Sequence, residues 1–193
     1  MDNGSGILKF DIRKIAFSAV VAALYAGLTL AVMPLSFGPV QIRFSEVLCI
    51  LPFFFPFSVW GLVVGCIVAN IFSPYLWLDI TIGPIASFHA AFFTMYIGML
   101  PSRDKIFTKA LACFPPVIYN AVLIGAMITF IMLNEGEADT FLTTFIACGL
   151  WVGLGQFIVM YIFGLPLMIY LPKTKIIDKL NKLYSGGKIK RKG

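Results

Sequence analysis

The sequence predicts an all-α integral membrane protein with six transmembrane helices, from its apolar composition, its long apolar runs and the positions of its basic residues. Hydrophobic residues make up 60% of the 193 residues and charged residues only 12%, and the mean hydropathy is +0.93. A soluble domain carries roughly 45–50% apolar and about 25% charged residues. The excess apolar surface needs lipid around it, so we expect a single transmembrane domain over residues 1–193.

Five apolar runs each reach the length of about 20 residues that a spanning helix needs. The run over 44–73 is either one long tilted helix or two short helices broken near 52–56, where two prolines flank three phenylalanines. With two short helices, the chain has helices at about 13–33, 44–56, 58–73, 80–100, 106–133 and 141–171, and a basic tail at 172–193.

The positions of the basic residues favour the two-helix interpretation. Lys and Arg concentrate at the cytoplasmic ends of membrane helices. Six spans with a cytoplasmic amino terminus place fourteen of the fifteen basic residues inside and leave only Arg43 outside. Five spans would move the loop at 101–109 and the whole basic tail outside. We therefore expect both termini in the cytoplasm, and a tail that sets topology and contacts anionic lipid headgroups, not nucleic acid.

Polar side chains inside the predicted spans indicate a ligand site. Ionisable and amide groups are costly in a bilayer, so they usually face a cavity or a partner. Most of them map to the outer half of the predicted bundle, which is typical of a pocket open to the outside. The candidate ligand residues are Arg43, Glu46, Asn70, Trp77, Asp79, His89, Tyr119, Asn120, Trp151 and Gln156.

Structural roles remain open for several of these candidates. Arg43 and Glu46 are three residues apart and can pair on one helix face. His89 can make an interhelical hydrogen bond, and Asn120 can satisfy a backbone carbonyl freed by the preceding Pro115-Pro116 pair. Both candidate tryptophans fit an interfacial belt as well as a ring-stacking role.

The two acidic residues in the predicted spans share a single basic neighbour. Only Arg43 is close enough in sequence to neutralise Glu46 or Asp79, so one carboxylate lacks an obvious partner. An uncompensated acid in a membrane is expensive unless it faces a cavity. We therefore expect Glu46 and Asp79 to be ligand groups and not half of a structural ion pair.

Small residues at four-residue spacing form smooth faces on which another helix can approach closely. The first predicted helix carries four of them, and the glycine pairs 61/65 and 149/153 repeat the spacing. Packing within the bundle and docking to a separate membrane subunit both remain open. The candidate docking residues are Ala19, Ala22, Ala23 and Ala26.

Sequence motifs for catalysis and nucleotide binding are absent. The sequence holds no G-x-x-x-x-G-K-[ST], no H-E-x-x-H, no G-x-S-x-G and no C-x-x-C, the patterns of phosphate, metal, hydrolase and redox sites. We expect no catalytic residue, metal or cofactor. A carrier of this kind takes its energy from an ion gradient or from partner subunits.

Three segments resemble a known transporter family. They are FGPVQIRFSEVL with the following LP at 37–52, GLVVGCIVAN at 61–70 and LDITIGP at 78–84. They are similar to QueT-type queuosine-precursor transporters, the substrate-binding S components of energy-coupling factor (ECF) transporters. The resemblance implies a six-helix bundle in a bacterial plasma membrane. Such a subunit captures its solute outside and docks, through a small-residue face on helix 1, onto a transmembrane coupling subunit driven by two ATPase subunits.

The implied ligand is a 7-deazaguanine such as 7-aminomethyl-7-deazaguanine, or queuine. Either Glu46 or Asp79 can accept two adjacent N–H groups of a guanine-like edge, while the other neutralises the ammonium. Asn70 and Asn120 offer donors and acceptors, and Trp77, Tyr119 or Trp151 can stack on the ring. The alternatives are an S component for another vitamin-like solute, a small ion-coupled carrier working as a dimer, and an intramembrane enzyme that uses His89 with Asp79.

Overall fold

The computed structural model describes residues 11–37 and 42–184, and over those residues the regular structure is entirely helical. Four of its helices are long and apolar enough to cross a membrane, which confirms the prediction of an all-α membrane protein. Lys9 and the tail beyond 184 lie outside the described residues. Besides a four-residue helix at Met33–Ser36, the helices in chain order are α1 (Ile12–Ala31), α2 (Phe44–Phe54), α3 (Ser58–Asn70), α4 (Leu76–Gly98), α5 (Ile106–Asn134), α6 (Phe141–Thr174) and α7 (Ile176–Tyr184), of which α1, α4, α5 and α6 are the four long ones.

The apolar run over 44–73 folds as the two short helices α2 and α3. Pro56 has no N–H to continue α2, and the Ser58 hydroxyl donates to the carbonyl oxygen of Phe55 at 2.7 Å across the break. The α3 helix ends at Asn70, three residues before the predicted 73, and α4 begins at Leu76, four residues before the predicted 80.

The chain reverses its direction between α2 and α3, as contacts with α1 show. In the first half of α1 the Ser18 hydroxyl donates to the carbonyl oxygen of Phe57 at 3.0 Å. Seven residues later in α1 the Tyr25 hydroxyl donates to Glu46, which precedes Phe57 in the chain, at 2.5 Å. The α2 segment therefore runs opposite to α1. The α3 helix runs in the same direction as α1, because Gly61 packs on Ser18 and Gly65 packs on Tyr25.

Glycines bring neighbouring helices into backbone contact. A Cβ atom on Gly65 would lie 2.8 Å from the Ala22 carbonyl oxygen, and one on Gly125 would lie 2.8 Å from the Gly149 Cα. Small residues thus pack α1 against α3 and α5 against α6. Each of the α5 and α6 helices also contains a π-helical segment, Asn120–Ile124 and Val159–Gly164.

Charge separates the two ends of the bundle. One end, called here the basic end, holds Lys14 against the Phe57 ring and Arg103 against the Phe53 ring. The opposite end, called the acidic end, holds Tyr75, whose hydroxyl donates to Glu135 at 3.3 Å. Desolvation and the Glu135 carboxylate both raise the pKa of Tyr75, so this hydroxyl keeps its proton and remains a donor.

Candidate ligand site

A buried ion pair joins α2 to α4 near the acidic end. The Arg43 guanidinium lies 3.3 Å from the Asp79 carboxylate, and both side chains are buried. The Ser73 hydroxyl also donates to Asp79, and Arg43 Nε donates to the Ser36 carbonyl oxygen at 3.2 Å. The expectation that Asp79 is outside a structural ion pair is wrong, because the fold brings Arg43 to it across 36 positions of sequence.

Glu46 is the carboxylate of the site that forms no direct ion pair within the described residues, although the Arg43 charge acts on it from a greater distance. Its side chain is only 1% exposed and accepts hydrogen bonds from the Tyr25 hydroxyl at 2.5 Å and the Cys49 thiol at 3.1 Å. Among the residues that the structure describes, none forms an ion pair with it. The proposed i,i+3 pair between Arg43 and Glu46 does not form, since Arg43 turns to Asp79.

Asn70 connects the end of α3 to the start of α4. Its amide nitrogen donates to the backbone carbonyl oxygen of Asp79 at 2.6 Å and approaches the Cys66 sulfur at 3.5 Å. Its carbonyl oxygen Oδ1 is buried and has no hydrogen-bond donor in the part of the chain that the structure describes. We call the following set the polar cluster: Tyr25, Arg43, Glu46, Asn70, Ser73 and Asp79.

Two members of the polar cluster were missed by sequence reasoning. Tyr25 lies in the middle of an apolar, alanine-rich helix and is fully buried, and Ser73 lies in the turn between α3 and α4. A tyrosine placed four residues before Thr29, in a span otherwise made of apolar and small residues, is a signal that could have marked α1 as a contributor. Ser73 carries no comparable signal.

A second group of candidates forms an aromatic patch farther along α4 and α5. The ring of Tyr119 stacks between His89 and Phe93, with centroid distances of 5.3 and 5.5 Å. His89 Nδ1 lies 2.8 Å from the carbonyl oxygen of Ile85. Asn120 donates to the carbonyl oxygen of Pro116 at 3.0 Å. That oxygen already accepts from the Asn120 backbone N–H, so the bond lies within α5 and does not satisfy a carbonyl freed by the proline pair.

The last three candidates are dispersed. Trp77 is 78% exposed and Trp151 is 56% exposed, so both rings lie largely on the outer surface of the bundle. Gln156 is buried in α6, and its amide nitrogen finds no hydrogen-bond acceptor among the described residues. The contacts therefore join four of the ten predicted residues, Arg43, Glu46, Asn70 and Asp79, into one network.

The candidate docking alanines differ in burial. Ala26 is buried, and Ala22 is partly buried where it packs beneath Gly65 of α3. Ala19 and Ala23 are exposed. Ala19 and Ala22 both line a groove of about 520 Å³ between α1 and α3.

The fold and the polar cluster define a membrane protein with an internal charged site, which is typical of proteins that move solutes across membranes. Residues 15–173 match the model of the QueT transporter family. The chain therefore belongs to the QueT transporter family, and membership of a transporter family implies that it is not an enzyme.

A curated relative supports the family assignment over part of the chain. The Queuosine precursor transporter QueT of Lactococcus lactis subsp. cremoris is 35% identical over 80 residues. This match covers 40% of the present chain and 45% of the relative, so it spans less than half of either protein. No solved structure matches the chain.

Proposed function

We propose that this protein is the substrate-binding S component of an ECF-type importer for a queuosine precursor, a 7-deazaguanine such as 7-aminomethyl-7-deazaguanine. Membership of the QueT family and the name of the Lactococcus relative support this substrate class. The sequence has no phosphate-binding loop, so energy from ATP would have to come from partner subunits.

The observation that carries the proposal is the buried Glu46 carboxylate, which has no direct ion-pair partner among the described residues. A buried charge is unfavourable unless it is paired and hydrogen-bonded, and the two groups that hydrogen-bond to Glu46, a hydroxyl and a thiol, are neutral. An aminomethyl ammonium would supply the missing positive charge through a charge-assisted hydrogen bond. Asp79 is less suited to this role because Arg43 already neutralises it.

The orientation follows from the charges at the two ends. Basic side chains gather at the end that holds the α2–α3 turn, and the acidic loop at 135–139 lies at the other. By the positive-inside rule the basic end faces the cytoplasm. Six spans in a bacterial plasma membrane, with both termini inside, then place the polar cluster toward the outside, where the solute is captured.

Binding requires the polar cluster to open. Its members are at most 8% exposed, so a solute reaches Glu46 only after the segments at the acidic end separate. The Arg43–Asp79 pair connects the start of α2 to α4, so separating these two helices would break this ion pair. With its residues buried in this way, the polar cluster is closed to the outside.

Calorimetry on the purified protein tests the role of Glu46. We expect Glu46→Gln to lose about ten- to a hundredfold in affinity for 7-aminomethyl-7-deazaguanine, because a hydrogen bond to a charged group contributes about 1.5–3 kcal/mol. The uncharged nitrile analogue should change by less than about threefold, since it has no ammonium. Glu137→Gln, in the exposed loop, is the matched control.

The two ligands separate the possible failures. Equal affinity of wild type and Glu46→Gln for the amine would remove Glu46 from the site. A wild-type protein that binds neither base would instead refute the queuosine-precursor assignment.

The exposed face of α1 is the proposed contact with the coupling subunit. Replacing both Ala19 and Ala23 by Leu should abolish uptake and co-purification with the ATPase subunits, because bulky side chains prevent close helix approach. Ligand affinity of the isolated subunit should stay within about twofold. The control Ala22→Leu should instead destabilise the fold by about 1–3 kcal/mol, since it overpacks the α1–α3 interface. Intact co-purification of the Ala19/Ala23 variant would place the partner elsewhere.

A further inference from the structure

The Asn70 amide is held in one orientation by the first turns of α4. Its nitrogen donates to the Asp79 carbonyl oxygen at 2.6 Å, and the side chain is fully buried. Gly83 makes room for it, because a Cβ atom at that position would lie 2.4 Å from the amide nitrogen. Since the nitrogen is fixed against α4, the position of the carbonyl oxygen Oδ1 is fixed as well.

Asn70 Oδ1 is an acceptor without a donor. It is buried, and no residue within 11–37 or 42–184 donates a hydrogen bond to it. The hydroxyl donors of the polar cluster are already used, because Tyr25 donates to Glu46 and Ser73 donates to Asp79. A buried carbonyl oxygen left unpaired in a membrane protein costs free energy, so a built acceptor of this kind points to a ligand that brings the donor.

The unpaired acceptor belongs to the same network as the Glu46 carboxylate. The Asn70 amide nitrogen lies 3.5 Å from the Cys66 sulfur, the Cys66 thiol interacts with the Tyr25 side chain, and the Tyr25 hydroxyl donates to Glu46. The polar cluster thus offers two unmet needs within one network, a positive charge at Glu46 and a hydrogen-bond donor at Asn70.

We infer that Asn70 is a specificity-determining residue whose Oδ1 accepts an N–H from the ring edge of the base, and that Gly83 is the positioning residue that holds it. This inference rests on the proposed function and deepens it. A guanine-type edge presents N–H donors at the ring nitrogen N1 and the 2-amino group. An adenine-type edge presents a bare N1 acceptor and a C–H in the same places, so Oδ1 would face no donor. Asn70 therefore selects the guanine type.

The contact between Asn70 and the base can be tested separately from the Glu46 contact by comparing two bases that carry the same aminomethyl ammonium. Calorimetry with 7-aminomethyl-7-deazaguanine and 7-aminomethyl-7-deazaadenine keeps the Glu46 interaction constant, so it cancels in the ratio of affinities. We expect wild type to prefer the guanine type by about ten- to a hundredfold, because sites built around a hydrogen bond reject analogues that lack the donor. Asn70→Leu should reduce this preference to less than about threefold.

Gly83→Ala tests the same contact without changing the amide. The added methyl group displaces the Asn70 side chain, so the preference for the guanine type should fall by at least about fivefold. Gly27→Ala is the matched control, because a Cβ there meets no atom within 4 Å, and it should keep the wild-type preference. Size-exclusion profiles and melting temperatures check that each variant is folded.

Each outcome decides the inference. A folded Asn70→Leu or Gly83→Ala protein that binds both bases more weakly but keeps the wild-type ratio would show a purely structural role and overturn it. Equal affinity of wild type for the two bases would overturn it without any variant, while leaving the proposed import of a deazapurine intact. Failure of wild type to bind either base would overturn both proposals.

Discussion

The polar cluster at the acidic end and the aromatic patch around His89 and Tyr119 were both predicted from polar side chains in apolar runs. The two regions differ in where those polar side chains find their hydrogen-bond partners. In the aromatic patch the partners are local: His89 meets the carbonyl of Ile85, and Asn120 donates to that of Pro116, each four residues back in its own helix. In the polar cluster the partners lie on different helices, as with Arg43 and Asp79.

The difference shows how to separate structural polar residues from functional ones in a membrane. A side chain that bonds to its own preceding turn needs no second helix and demands no ligand. A group whose partners come from other helices depends on the whole fold. When that group remains partly unsatisfied, as Glu46 and Asn70 do, a ligand is the natural partner.

Among the variants that test this difference between the two regions, removal of Arg43 should have the largest effect on stability. Arg43→Met leaves the Asp79 carboxylate buried without a counterion, so we expect a loss of about 3–5 kcal/mol in stability, measured by thermal or denaturant unfolding in detergent. The double variant Arg43→Met/Asp79→Leu should recover most of the loss because no charge is left unpaired. A loss below about 1 kcal/mol for the single variant would mean that the cluster is not tightly coupled.

The pair between Lys14 and Asp11 is the matched control for this measurement. Its atoms are 3.9 Å apart and its side chains are 45% and 34% exposed. Exposed pairs contribute about 0–1 kcal/mol, so Lys14→Met should leave the unfolding midpoint nearly unchanged.

Substitutions in the aromatic patch should change stability and ligand affinity much less than substitution of Arg43. For Asn120→Leu we expect about 0.5–1.5 kcal/mol of destabilisation, because the change removes one hydrogen bond within α5. For both Asn120→Leu and His89→Phe we expect a change in ligand affinity below about threefold. Binding calorimetry with 7-aminomethyl-7-deazaguanine measures this change. A tenfold loss in either variant would extend the ligand site from the polar cluster into the patch, as the sequence first suggested.

Sequence reasoning identified four of the six residues of the polar cluster but not their pairing. Arg43, Glu46, Asn70 and Asp79 stand out because an ionisable or amide group interrupts an apolar run. Their pairing depends on which helix faces approach each other, and sequence proximity favoured Arg43 with Glu46. The observed pair forms because Ser73 and the Asn70 contact hold the start of α4 next to Arg43.

The sequence by itself determined that this is an all-α membrane protein of the QueT family, since composition, apolar length and motif are properties of the chain read in one dimension. The tertiary structure decided which polar groups are satisfied. Whether Glu46 forms an ion pair, whether Ala22 or Ala23 faces α3, and whether Asn70 keeps a free acceptor depend on how closely the helices approach each other at Gly61, Gly65 and Gly83. Those contacts set the distances between helices, and in a medium without water the distances between helices decide which polar groups find partners.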